Sequence, residues 1–244
     1  MILDFHAHFH HVPAEPKALR AEAQRLSVGK LCVSNVSSYI PAPDEVRRLN
    51  AMVYEGCQID PDLYIPFTYV NPLHGPQAID MLEDGLTHGM QGIKLWVSVW
   101  ADDPSLDDIA QWAIAHDVPI MHHSWIKWNG TLPSESQAHQ IARLGERFPD
   151  LKLVMAHMGG DWEYGVKAIR HCESIGVDTS GSYGDAGVIE FCVNELGEDR
   201  VYFGSDVPGV DWAFTLAKVS RAKISDTAKE KILGGNAAAI LGLA

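Results

Sequence analysis

An α/β protein built as a single (β/α)8 barrel is what this sequence predicts, and three observations predict it. Short β-branched or aromatic runs alternate with longer stretches of helical spacing from one end of the chain to the other. Eight such runs are present in 244 residues, which leaves about 30 residues per strand–helix unit, the size of one βα repeat. Several of the runs finish in His or Asp, and barrel sites are built at the C-terminal ends of the strands.

Strands are read at 3–9, 30–37, 64–71, 92–99, 119–125, 152–158, 176–180 and 201–207. Helical spacing fills 14–26, 44–59, 75–88, 105–116, 134–148, 162–173 and 186–196. Asp-Pro, Asn-Pro and Gly-rich breaks mark the joins. Pro104-Ser105-Leu106-Asp107-Asp108 and Pro133-Ser134-Glu135 place a hydroxyl and carboxylates where the free amides of a helix start need acceptors. Asp161, after Gly159-Gly160, reads as a helix cap, and Asn236 as a structural residue at a helix start. No low-complexity linker or shift of composition divides the chain, so residues 1–244 are expected to form one domain. The rival is an open, doubly wound sheet, weakened because no GxGxxG or Walker-type loop follows an early strand.

Composition excludes several function classes. An apolar fraction of 46% with 21% charged residues is ordinary for a globular protein and unlike a disordered, collagen-like or coiled-coil chain. The formal charge of −13 opposes binding to phosphate backbones and anionic membranes but not to a small molecule. The four cysteines, Cys32, Cys57, Cys172 and Cys192, form no CxxC pair, as in a reduced, cytoplasmic protein. Residues 1–5 lack the basic and apolar regions of a leader, and no apolar run reaches 18 residues, so neither secretion nor a membrane span is expected.

Twelve histidines are the compositional oddity. His6 and His8 lie two apart in the first strand, so both can face one ion, although two polar residues at a barrel mouth would look the same. Other strands end in similar chemistry. The fifth runs into His122-His123, the sixth into His157-Met158-Gly159-Gly160, and the eighth into Ser205-Asp206. Alternation allows only one of His122 and His123 to point inward and does not say which. So many polar strand ends would each need a buried partner if they were merely structural.

The order and spacing of DFHAHFH, PIMHHS, LVMAHMGG, YFGSD and the closing ILGGNAAAILGL resemble the amidohydrolase superfamily, specifically its amidohydrolase-related (amidohydrolase 2) TIM-barrel members. The resemblance spans nearly the whole chain. It implies that His6, His8, His123, Asp206 and His157 are metal ligands, with His123 on the same or a second ion and His157 as the sixth-strand histidine. It selects His123 over His122, placing the latter between barrel and helices. It also implies one divalent ion, zinc by preference, or two if Lys94 on the fourth strand is carboxylated to bridge them. As an ordinary cation, Lys94 would instead pair with a carboxylate or anchor a substrate. The primary expectation is a metal-dependent hydrolase of an amide, ester or lactone, with Asp206 and His157 catalytic. The first alternative is a non-oxidative decarboxylase of an aromatic or unsaturated acid, and the second an inactive binding barrel.

Six of seven tryptophans, including Trp96, Trp125, Trp128 and Trp162, follow or close strands, and together with Tyr183 and His10 they suggest an aromatic pocket wall for a small-molecule substrate. Only Trp112 reads as helix packing. No nucleic-acid or membrane partner is expected. The chain has no long lid insertion, so a homo-oligomer with a partner subunit over the site is a further expectation.

Overall fold

Eight parallel strands pair in strict chain order in a computed structural model that describes residues 1–127, 130–181 and 184–243. They are β1 (Ile2–His8), β2 (Val28–Ser34), β3 (Tyr64–Tyr69), β4 (Gly92–Leu95), β5 (Ile120–His122), β6 (Leu153–Met155), β7 (Ile175–Asp178) and β8 (Val201–Tyr202). Between them run α1 (Ala14–Leu26), α2 (Pro43–Cys57), α3 (Pro76–Thr87), α4 (Asp107–Ala115), α5 (Ala138–Arg147), α6 (Trp162–Ile169) and α7 (Val188–Leu196). The chain then adds α8 (Trp212–Ser220) and the short α9 (Asp226–Glu230) and α10 (Asn236–Ile240). The fold is a TIM barrel, and the open-sheet rival fails where β1 meets the segment after β8. There Ala7 and Val207 form a parallel bridge, and Phe5 N donates to Phe203 O at 2.8 Å and Asp206 N to His6 O at 2.7 Å. No described helix is long and apolar enough to cross a membrane.

Two apolar layers sort the strand residues. Leu3, Phe5, Cys32, Ile65, Phe67, Met121, Val154, Ala156 and Tyr202 fill the inside of the barrel. Their neighbours Ile93, Leu95, Ile120, Leu153, Met155 and Val177 pack outward against the helices, as period-2 alternation requires. Gly92 is needed on β4 because a Cβ there would overlap the Phe67 ring.

Helix starts depart from the sequence reading at two places. The stretch 134–148 yields helix only from Ala138, capped reciprocally by Gln137 and Gln140, while Ser134 takes a left-handed φ of 55° and Glu135 turns inward. Before α4, the cap is Asp103, which accepts from Ser105 N. Asp161 accepts from Tyr164 N at the start of α6, and Asn236 opens α10 with its amide donating to Glu198 O and Val201 O.

Candidate metal centre

Backbone irregularities at three strand ends bring the site together. Leu3 and Phe5 face the barrel interior, so simple alternation would send His6 outward. A register shift between Asp4 and Ala7 reverses the parity, and His6 and His8 turn inward while Ala7 and Phe9 join the outer layer. On β6, Val154 and Ala156 face inward, and alternation would likewise send His157 out. Left-handed backbone at His157 (φ 59°) and Met158 (φ 52°) swings the ring back, 5.0 Å from that of His6. Asp206 also sits at positive φ (66°). On β5, His123 has the parity of inward Met121, and His122 pairs in register with outward Leu95. The His122 ring is buried and donates from Nδ1 to His123 O.

Hydrogen bonds to the far side of each ring settle which nitrogens face the centre. An ionised carboxylate only accepts, so His6 Nδ1 donates to Asp178 Oδ2 at 2.8 Å and Nε2 is left bare. Lys94 Nζ donates to that bare nitrogen at 2.8 Å. His8 Nε2 lies 3.2 Å from His6 Nε2 and 3.2 Å from Asp206 Oδ1. His8 has two arrangements. Its Nδ1–H can donate to Ser34 O at 3.3 Å, baring Nε2, or Nδ1 can accept from Ser34 Oγ at 3.1 Å while Nε2–H donates to Asp206. A cation and a proton therefore compete for one position between His6, His8 and Asp206.

The ligand atoms of His6, His8 and Asp206 all lie within 4.8 Å of one another, as do those of His6, His157 and Asp178. Burial pushes the His8 imidazole down to about 4 despite the opposing bond to Asp206, so the ring is neutral at pH 7, as a ligand must be. Burial works against charge on Asp206, but the His8 bond and the adjacent His6 and His157 rings outweigh it and hold the carboxyl well below its usual range. Neutral imidazoles, a committed carboxylate and oriented outer partners fit a divalent ion. Lys94, fully enclosed, is pushed down to about 8 by burial while Asp206 and Asp178 pull it back.

His157 and His123 form a second pair. The short bond from Ser180 Oγ to Asp178 Oδ1 uses the only hydroxyl proton, so His157 Nδ1 must donate to Ser180 Oγ at 2.8 Å. His123 Nε2 donates to Glu135 Oε1 at 2.8 Å. The remaining nitrogens, His157 Nε2 and His123 Nδ1, face each other at 3.2 Å. Burial holds both rings below the ordinary imidazole range.

The structure gathers His6, His8, Asp206, His157, His123 and Lys94 at one mouth, with Trp125 tilted 4.5 Å from the His157 ring. His10 is exposed and stacks on His8 at 5.6 Å, and Trp96 packs near Tyr39. Trp162 is not part of the cluster, because its Nε1 donates to Asp185 and its ring meets Phe191 edge-on. Trp212, also read at the rim, is buried beneath β1 with Nε1 on Asp4. Trp128 and Tyr183 lie outside the described residues. Sequence reading missed Asp178, Ser180 and Glu135. Asp178 ends β7 as Asp206 follows β8, so the rule of polar strand ends already pointed to it.

A family model described as Amidohydrolase matches residues 4–243. A 2-amino-3-carboxymuconate-6-semialdehyde decarboxylase of Dictyostelium discoideum is 26% identical, over 64% of this chain and 54% of its own, so the chain spans about half the length of that curated relative. The 2,6-dihydroxybenzoate decarboxylase from Rhizobium superposes with a TM-score of 0.81 at 17% identity, covering 99% of this chain and 98% of that one. A dihydroxybenzoic acid decarboxylase from Polaromonas sp. JS666, solved with bound manganese and the inhibitor 2-nitroresorcinol, gives 0.81 at 18% identity over 99% and 97%. These relatives overturn the expectation of an amide, ester or lactone hydrolase, since they are decarboxylases. The physical reason for the error is that one His/His/Asp donor set serves both chemistries, polarising a water in one and receiving a carboxylate in the other.

Proposed function

We propose that this chain, which belongs to the amidohydrolase family, is a metal-dependent non-oxidative decarboxylase of an aromatic or unsaturated carboxylic acid. The observation that carries the reading is the convergence of His6 Nε2, His8 Nε2 and Asp206 Oδ1 at the barrel mouth, in a chain whose curated relative is a decarboxylase. His6, His8 and Asp206 would hold one divalent ion. Zinc suits the nitrogen-rich set, and manganese is the ion of the Polaromonas relative. When bound, such an ion offsets the charge of a substrate carboxylate and of the electron pair left as carbon dioxide departs.

The chain's own residues supply the rest. The bond between the substrate carbon and its carboxylate breaks, carbon dioxide leaves, and the carbon takes up one proton. That proton comes from water by way of His157 Nε2 and His123 Nδ1, the two bare ring nitrogens that face each other at 3.2 Å and can each take up one proton and pass it on. Asp206 stays ionised and acts as a ligand, not a proton reservoir. Lys94 serves as a plain cation; its bond to His6 Nε2 uses the lone pair that an ion would take, so a bound ion would release it to pair with a carboxylate. Trp125, tilted against the His157 ring, offers flat apolar surface suited to a conjugated acid.

The test is a panel of hydroxybenzoates and unsaturated acids, incubated in D2O with protein whose metal content has been measured by elemental analysis. Carbon dioxide release with one deuteron placed on the product carbon is the expected result. Incorporation of labelled oxygen from water without carbon dioxide overturns the reading.

A further inference from the structure

Between β5 and α5 the chain places the side chain of Glu135 against the site. The side chain is fully enclosed and caps no helix. Three donors converge on its carboxylate. His123 Nε2 reaches Oε1 at 2.8 Å, Lys127 Nζ reaches Oε1 at 2.7 Å, and Leu132 N reaches Oε2 at 2.8 Å. Burying a carboxylate is costly unless it is paired and hydrogen-bonded, and this one is both.

We propose that Glu135 is a positioning residue that fixes the His123 ring in its Nε2–H form, so that bare Nδ1 faces His157 Nε2. Without an acceptor behind Nε2, the neutral ring has no reason to keep its proton there, and a ring flip would turn a carbon toward His157. The same carboxylate ties the ring to the pocket wall. Lys127 lies 5.5 Å over the Trp125 ring, and Trp125 in turn lies against His157. A substrate that moves the Trp125 segment therefore pulls on the carboxylate that holds His123. The link from loop to proton transfer rests on the decarboxylase reading, whereas the ring geometry does not.

The test is nitrogen NMR of [15N]histidine-labelled, zinc-loaded protein, with His123 assigned by comparison with His123→Asn. A single Nε2–H form is expected for His123 in the wild type, and a Nδ1–H form overturns the proposal whether or not any variant folds. In Glu135→Gln the His123 signals should shift or split while those of His8 and the zinc content stay unchanged, and Glu135→Asp should restore part of the wild-type pattern. Unaltered His123 signals in a folded Glu135→Gln protein also overturn it. In Lys127→Met the His123 form should persist and the Trp125 fluorescence should change. With a substrate in hand, Glu135→Gln should lower kcat about 10- to 100-fold with little change in KM. None of the NMR outcomes needs a substrate, so they stand apart from any failure to release carbon dioxide.

Discussion

Asp178 shows how one carboxylate can organise two imidazoles. Oδ2 takes the His6 Nδ1 proton directly, and Oδ1 takes the Ser180 hydroxyl, which forces His157 Nδ1 to donate to Ser180. Burial would raise its pKa, but the His6 and His157 rings and the Ser180 bond hold it far below the usual carboxylate range. Asp178→Asn sets an amide donor either against His6 Nδ1–H or against the Ser180 hydroxyl and the His157 and Ser180 amides. Metal affinity should fall about 10- to 100-fold, measured by competition with a chromophoric chelator. Glu135 makes a prediction in pH. Its folded value is depressed from 4.5 to about 2, since three hydrogen bonds outweigh burial. It therefore contributes stability above about pH 4.5 that drains away as pH falls through about 2. The gap in urea midpoint between wild type and Glu135→Gln should be widest near pH 6 and shrink steadily towards pH 3. A gap independent of pH would remove the carboxylate's charge from the explanation.

Elements set these residues by how they end. The turn after β6 carries His157 and Met158 at positive φ, and α6 packs so closely on it that a Cβ at Gly165 would overlap the Met158 carbonyl oxygen. Gly165→Ala should cost about 1–3 kcal/mol, seen as a lower urea midpoint. It should also cut turnover out of proportion to the folded fraction, because the displaced turn holds His157. The sequence made the strand cores and most helices readable, since β-branched runs and helical spacing are local signals. It misplaced the start of α5 by four residues. Ser134 and Glu135 have the right types for a cap, and nothing local shows that His123 and Lys127 claim the carboxylate instead. Likewise Trp162 sits beside a strand end in sequence but is taken by Asp185 and Phe191.

At the scale of the whole molecule, the candidate ligands straddle the seam of the ring. His6 and His8 come from β1 and Asp206 from the segment after β8, the two ends that must meet for the barrel to close. An ion bound there links the first and last strands. Zinc at a hundredfold excess over its Kd should stabilise the protein by about 2.7 kcal/mol, read as a higher Tm that chelator reverses. His8→Ala should abolish that response. An equal rise in Tm for the variant would place the ion elsewhere.

The sequence by itself determined the repeated strand–helix order, the barrel, the family resemblance and the polar residues at the strand ends, because each is written in local periodicity or in motifs within one strand. The tertiary structure alone decided which of those residues meet. The register shift in β1, the left-handed turn at His157 and the inward swing of Glu135 each break the alternation that sequence reading assumes. It also decided the tautomers of His6 and His157, since the atom behind each ring comes from a segment far away in the chain: Asp178 for His6 and Ser180 for His157. Periodicity reports a residue's neighbours along one strand, whereas the proton on a ring nitrogen depends on what closure of the barrel sets behind it.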